Sequence, residues 1–182
     1  MYDVKHLCLA FWIALIASNL RAQDITPHGA GALKLGMTTQ QFKTAFPGAQ
    51  IRKESHEGED ETIGIIVRDG MISAKATFYS GKIYALSLYD KQYKLNGVPI
   101  LALFQDLKSK IKIKSIYYAP DGEEAGITIR LTDMPQVTIN LELMGALKSM
   151  LSKYAYNEVP VDKLPDWSKI ESVSITQSQI VR

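Results

Sequence analysis

Two segments alternate strictly between apolar and polar residues, and this alternation constrains the fold more than any other feature. Residues 126–132 read GITIRLT and residues 136–143 read QVTINLEL. Successive side chains of a β-strand point to opposite faces, so a period of two predicts two strands with one buried face. The intervening Asp133-Met134-Pro135 predicts the turn of an antiparallel pair.

Five further segments have the composition and spacing of strands. We predict strands at residues 62–68, 71–79, 82–89, 113–118 and 170–176. Asp69-Gly70 and Ser80-Gly81 separate the first three and predict tight hairpin turns, so these three strands form a meander. The charged residues 53–61 before them predict an exposed loop.

Three segments have apolar residues at helical spacing. The first begins at Thr38, which with Gln41 fits a capping box. The second runs from Val98 to about Ile111, and the third from Met144 to Tyr154. Few helices among many strands predict an α+β fold, with a mainly antiparallel sheet and helices packed on one face. The order leaves two interpretations open, one continuous sheet or two helix-plus-three-strand repeats.

The N-terminal segment is typical of an export signal. A short, weakly basic start precedes an uncharged run at residues 7–17, and Ala22 fits a cleavage site. We therefore predict a signal peptide at residues 1–22, a single α+β domain at 23–182, and a periplasmic or secreted location. The apolar run is shorter than the about 20 residues of a membrane-spanning helix. Cys8, the only cysteine, begins this run, so we predict no lipid attachment and a mature chain without thiols.

The charge balance limits the classes of partner. The chain has 21 basic and 19 acidic residues, and this near-neutral balance argues against general nucleic-acid binding. No second long apolar run follows the signal, so we predict no transmembrane segment in the mature chain. A protein or a component of the cell envelope is the expected partner.

Residues 29–38, GAGALKLGMT, are followed by Gln41-Phe42 at the start of the first helix. This segment resembles an N-terminal motif, G-x-G-x-L-x-L-G-M-T, of exported bacterial proteins of unassigned function. The Leu-Gly-Met-Thr helix start is also similar to the small lipoprotein of the outer-membrane β-barrel assembly machinery and to the repeats of β-lactamase-inhibitor protein. These resemblances imply helices packed on an antiparallel sheet and a protein-binding role. The chain lacks the lipidated cysteine of the first family and the disulfides of the second, so no particular partner is implied.

One cluster of basic and aromatic residues predicts a candidate binding surface for an anionic partner. It comprises Lys108, Lys110, Lys112, Lys114, Tyr117 and Tyr118. The alternative is an exposed edge strand on which lysines prevent pairing with other molecules.

The sequence offers few residues for catalysis. The mature chain retains His28 and His56 and no cysteine, so we predict no catalytic, cofactor or metal site. The acidic residues around His56 fit no standard calcium loop. The predicted function is therefore an exported, non-enzymatic binding or envelope-associated protein. A small-ligand carrier, or a hydrolase using His28 or His56, remains the alternative.

Overall fold

The computed structural model of the protein describes residues 22–56, 59–120, 125–143 and 145–177. The predicted signal peptide lies outside these residues, apart from Ala22. None of the helices in the described ranges is long and apolar enough to cross a membrane.

Five short strands, three near the N-terminus and two from the middle of the chain, form a small sheet. They are β1 (Gln23–Thr26), β2 (Gly29–Ala30), β3 (Leu33–Lys34), β8 (Tyr93–Leu95) and β9 (Val98–Pro99), in the spatial order β3-β2-β1-β8-β9. The β1–β8 pair is parallel and the other pairs are antiparallel. The sequence does not predict this sheet, because its strands are too short to show a periodicity.

The remaining strands form one nine-stranded antiparallel sheet. They are β4 (Gln50–His56), β5 (Glu59–Arg68), β6 (Met71–Tyr79), β7 (Lys82–Leu88), β10 (Ile113–Ala119), β11 (Gly126–Leu131), β12 (Val137–Leu141), β13 (Asn157–Glu158) and β14 (Ile170–Thr176). Their spatial order is β13-β10-β11-β12-β14-β7-β6-β5-β4. The prediction of a mainly antiparallel sheet is therefore confirmed, and the protein is rich in β-structure.

The prediction of a charged loop at residues 53–61 is wrong. Residues 53–56 belong to β4 and residues 59–61 to β5, and Glu54 pairs with Glu61 across the two strands. Because β4 lies at the end of the described sheet, its charged side chains can reach water, so a polar sequence does not prevent strand formation there.

The described α-helices are α1 (Thr39–Ala45), α2 (Phe104–Lys108) and α3 (Gly145–Leu151). The capping box of α1 is confirmed: the Gln41 backbone N–H donates to Thr38 Oγ1 at 3.2 Å, and the Thr38 N–H donates to Gln41 Oε1 at 2.8 Å. The predicted helix from Val98 to Ile111 is wrong in its first half. Val98 pairs in β9, and Leu101 has a φ of 73°, which interrupts a helix.

The strand register separates the two faces of the large sheet. One row of aligned, buried side chains comprises Ala74, Leu88, Val173, Ile139 and Ile129. These residues belong to one hydrophobic cluster with side chains from all three described α-helices. The next row comprises Lys75, Ser87, Ser174, Thr138 and Arg130, and it lies on the opposite face, which we call the outer face.

The two halves of the large sheet repeat one hydrogen-bonding scheme. Residues 36–37, ahead of α1, exchange backbone hydrogen bonds of 2.7 and 2.9 Å with Ile83 in β7. Residues 101–102, ahead of α2, exchange the same two bonds, at 3.1 and 3.0 Å, with Ile170 in β14. Gly36 therefore corresponds to Leu101, and Ile83 to Ile170.

The halves meet where β7 pairs with β14, and Ser87 lies directly opposite Ser174. These two serines follow Ile83 and Ile170 at the same spacing, so an approximate two-fold axis passes between them. Both halves also carry a β-bulge at matching places, after Thr77 in β6 and after Asn140 in β12. The large sheet is thus continuous, and its halves, β4–β7 and β10–β12 with β14, each contribute four strands to the scheme.

At one matching helix position and one matching strand position, the two halves carry side chains of different size. In the first half Phe42 of α1 packs over Gly64, where an added Cβ would lie 2.6 Å from the Phe42 ring. Leu107 of α2 and Ile129 hold the matching positions in the second half, and both are fully buried. A large ring over a glycine is thus matched by two medium-sized side chains, as close packing requires.

Candidate functional site

A concavity of about 480 Å³ lies on the outer face of the second half. Its lining is mainly polar and includes Thr128, Arg130, Thr138, Asn140, Glu171 and Ser172, together with Tyr89, which follows β7. Three neighbouring strands, β11, β12 and β14, supply the six polar residues, so their positions are fixed by the sheet register.

Asn140 is the centre of a hydrogen-bond network across these strands. Its Nδ2 donates to Ser172 Oγ at 3.0 Å and to Ser174 Oγ at 3.4 Å, and its Oδ1 accepts from Thr128 Oγ1 at 3.4 Å. Both serine hydroxyls act as acceptors here, and because Ser172 lines the concavity, its own hydrogen remains available to a ligand. The network therefore orients several hydroxyls at the base of the concavity.

Arg130 and Glu171 bring opposite charges to the lining. Both side chains are exposed, and no residue in the described ranges forms a hydrogen bond or ion pair with either of them. Arg130 pairs with Thr138 across β11 and β12, and Glu171 is the extra residue at the β14 side of the bulge. The concavity thus offers a free guanidinium and a free carboxylate at separate positions.

The first half provides an internal comparison for these positions. The second-half rows Ser174–Thr138–Arg130 and Ser172–Asn140–Thr128 correspond to the first-half rows Ser87–Lys75–Ile65 and Ala85–Thr77–Ile63. Glu171 corresponds to Tyr84. The same backbone arrangement therefore forms with isoleucine, buried in the first half, at the positions of Arg130 and Thr128 and with alanine at that of Ser172. The strand pairing itself thus does not require this polar set.

The six residues of the predicted binding surface lie on different elements. Lys108 ends α2, Lys110 and Lys112 lie in the following turn, and Lys114 occupies the register shift between Ile113 and Ser115 in β10. Lys112 forms an exposed ion pair of 3.6 Å with Asp133, which is worth little in water.

The two tyrosines of that predicted surface lie in different environments. Tyr117 is 38% exposed and pairs with Thr128, which places it on the outer face beside the concavity. Tyr118 is 0% exposed and its hydroxyl donates to the Lys148 carbonyl at 3.4 Å, so it belongs to the core and not to any surface. Only Tyr117 can therefore join the lysines at a surface.

The residues considered for catalysis do not lie in the concavity. His28 is exposed in the turn between β1 and β2, in the small sheet, and His56 ends β4 at the far end of the large sheet. Among the residues that the structure describes, no group of three or more histidine, cysteine or carboxylate side chains could hold a metal ion.

A partly buried polar cluster joins the two sheets. Ser73 Oγ donates to Asp90 Oδ2 at 3.1 Å, Gln92 Nε2 donates to Ser73 Oγ at 2.9 Å, and Arg68 Nε lies 3.8 Å from Asp90. Burial raises the pKa of Tyr93, while its hydrogen bond with Ser73 and the Arg68 charge act in the opposite direction. The cluster ties β6 to β8, and we assign it a structural role.

The comparisons with known proteins bear on the fold alone. No family model and no curated protein matches the chain. Among solved structures it is similar to the crystal structure of the uncharacterized protein YfeY from Escherichia coli, with 15% sequence identity and a TM-score of 0.59. The match covers 85% of this chain and 99% of that chain. The motif at residues 29–38 and the likeness to the lipoprotein and inhibitor families stay predictions.

Proposed function

We propose that this chain is an exported, non-enzymatic protein that binds a polar ligand in the concavity on the outer face of its second half. The observation that carries the proposal is the difference between matching halves. Ile63, Ile65 and Ala85 satisfy the fold in the first half, whereas Thr128, Arg130 and Ser172 occupy the same places in the second. Polar groups that the fold does not need favour a role in recognition.

The chemistry of the lining supports binding of a ligand rich in polar groups. Hydroxyl and amide side chains both donate and accept hydrogen bonds, and the strands beneath hold them in fixed positions. Tyr89 adds an aromatic ring with a polar tip, a side-chain type frequent at binding surfaces. A small-ligand carrier, the alternative that the sequence left open, would use the same concavity.

Export is supported by the signal-peptide pattern of residues 1–22. Expression of the full-length chain in a Gram-negative host tests it. We expect the periplasmic or secreted fraction to contain a product whose first residue is Gln23. An unprocessed chain retained in the cytoplasm would contradict the export part of the proposal and leave the binding site untouched.

The binding site itself can be tested by backbone-resolved NMR on the protein purified after export. Addition of a small-molecule extract of the bacterial envelope should shift the amide signals of Thr128, Asn140 and Ser172. Asn140→Ala should abolish these shifts, because it removes the centre of the network. Thr77→Ala, at the matching position of the first half, is the control and should retain them.

A second variant and a defined contrary result complete this test. Arg130→Ala, at an exposed position, replaces Asn140→Ala if the latter does not fold. Shifts that occur only outside the concavity, or that persist in both second-half variants, would refute binding at this site.

A further inference from the structure

The charges that line the concavity define the ligand more narrowly, and this inference rests on the proposed function. We propose that the concavity binds a short linear peptide with free termini, with its carboxylate at Arg130 and its ammonium group at Glu171. Charge complementarity is the reason: both side chains line the same concavity and neither has a partner in the described part of the chain.

The sheet register fixes the distance between the two charged residues. Arg130 lies level with Ser174, two strands away, and Glu171 lies three residues before Ser174 in β14. Strand spacing contributes about 10 Å sideways and strand rise about 10 Å lengthwise, so the Cα atoms are about 14 Å apart. An extended tripeptide spans about 10 Å, and the lengths of the two side chains cover the difference.

The groups between the two charges fit the backbone of such a peptide. Ser172 accepts from Asn140 and can donate its own hydrogen to a peptide carbonyl. Thr128 donates to Asn140 and keeps its lone pairs for a peptide N–H. A peptide backbone carries a donor and an acceptor at each residue, which matches this mixed set.

The guanidinium suits a terminal carboxylate in particular. Arginine presents parallel N–H donors that form two hydrogen bonds with one carboxylate, and such charge-assisted bonds are about twice as strong as neutral ones. A ligand carrying only negative charge would be repelled by Glu171, whereas a zwitterion satisfies both residues. Capping either end of the peptide should therefore have separate and predictable effects.

Isothermal titration calorimetry with trialanine, N-acetyl-trialanine and trialanine amide tests the proposal on the exported protein. Trialanine should bind, and each capped form should bind about tenfold more weakly or worse, because each loses one charge-assisted contact. Arg130→Gln should weaken trialanine by a similar factor and leave trialanine amide unchanged. Glu171→Gln should weaken trialanine and leave N-acetyl-trialanine unchanged.

Matched charge-loss controls separate these contacts from a general electrostatic effect. Lys75→Gln, on the outer face of the first half, and Glu158→Gln, on the exposed strand β13, should both bind trialanine as the unmodified protein does. Equal binding of all three peptides, or equal losses in variants and controls, would overturn the proposal.

The outcome also distinguishes this inference from the proposed function. If trialanine fails to bind at millimolar concentrations while envelope extract shifts the amides of the concavity, the peptide assignment is wrong and the binding site stands. If neither ligand perturbs the concavity, both are wrong.

Discussion

Leu101 occupies a backbone conformation that residues with a side chain rarely adopt. Its φ is 73°, and the matching residue of the first half is Gly36, with a φ of 79°. In this region the Cβ of an L-residue crowds the following carbonyl, at a cost of about 1–2 kcal/mol. The repeated hydrogen-bonding scheme thus demands the same turn in both halves, and only one half has the residue that suits it.

Glycine should therefore give a higher free energy of unfolding than alanine at both positions. Leu101→Gly should be about 1 kcal/mol more stable than Leu101→Ala, because both variants lose the Leu side chain but only glycine relieves the backbone. Gly36→Ala should lose about 1 kcal/mol, because the space beside Gly36 is empty and the cost is in the backbone alone. Urea unfolding measures both, and equal stability of the two Leu101 variants would contradict the assigned strain.

The sequence alone does not reveal the candidate site, because its residues come together only through strand pairing. The alternation at residues 126–132 and 136–143 predicts two strands with one buried face, and this pattern leaves Arg130 and Asn140 on the other face. The sequence does not contain the register that sets Asn140 beside Ser172, which lies in a distant strand. An asparagine in the middle of a strand, where this residue is disfavoured, is the one local signal that could have singled out the site.

At the scale of elements, the two matching helices begin differently. Thr38 caps α1 with a side-chain hydrogen bond, whereas Leu103, at the matching position before α2, makes none and is 37% exposed. A helix leaves its first backbone N–H groups without internal partners. In α2 the Phe104 N–H donates to the Ser168 carbonyl at 2.7 Å and the Asp106 N–H to the Leu103 carbonyl at 3.1 Å, so backbone acceptors take the place of a side-chain cap.

Substitutions at the two caps should show this asymmetry. Thr38→Ala should reduce the free energy of unfolding by about 1 kcal/mol, whereas Thr39→Ala, one residue inside the helix, should change it by less than about 0.5 kcal/mol. Leu103→Ser should be about 1 kcal/mol more stable than Leu103→Ala, because serine can cap α2. Thermal and urea unfolding provide the values. A Thr38→Ala variant as stable as Thr39→Ala would show that the cap contributes nothing.

Elements with a clear local signal were predicted well, and the others depended on distant contacts. The strands β6 and β14 match their predicted bounds, because side-chain alternation is a property of the local sequence. The helical spacing at residues 98–111 is equally local, but pairing of β9 with β8 and the turn at Leu101 override most of it. The strand β4 was missed because charged residues at a sheet end resemble a loop.

For the whole molecule, the partly buried polar cluster around Tyr93 links stability to alkaline pH. The folded protein holds the pKa of this phenol above its ordinary value near 10, chiefly through burial. Its contribution is therefore fully present below about pH 10 and is lost as the pH rises through the folded-state value, because only the unfolded chain then ionises readily.

Urea unfolding of the unmodified protein and of Tyr93→Phe between pH 8 and 11 should reveal this contribution. The unmodified protein should lose stability more steeply above about pH 10, because phenylalanine cannot ionise. Tyr79→Phe, at an exposed position, is the control and should follow the unmodified protein. Parallel curves for all three would show that Tyr93 does not govern the alkaline loss.

The pairing of β7 with β14 at the centre of the large sheet has a consequence for folding kinetics. The first half contains β4 to β7, but the partner that β7 needs lies beyond α2, α3 and the strands between them. Contacts so distant in sequence form slowly, and until they form β7 presents an unpaired edge. A chain truncated before Ile170 would leave both β7 and β12 with an open edge permanently, and each edge would be available for pairing with another molecule.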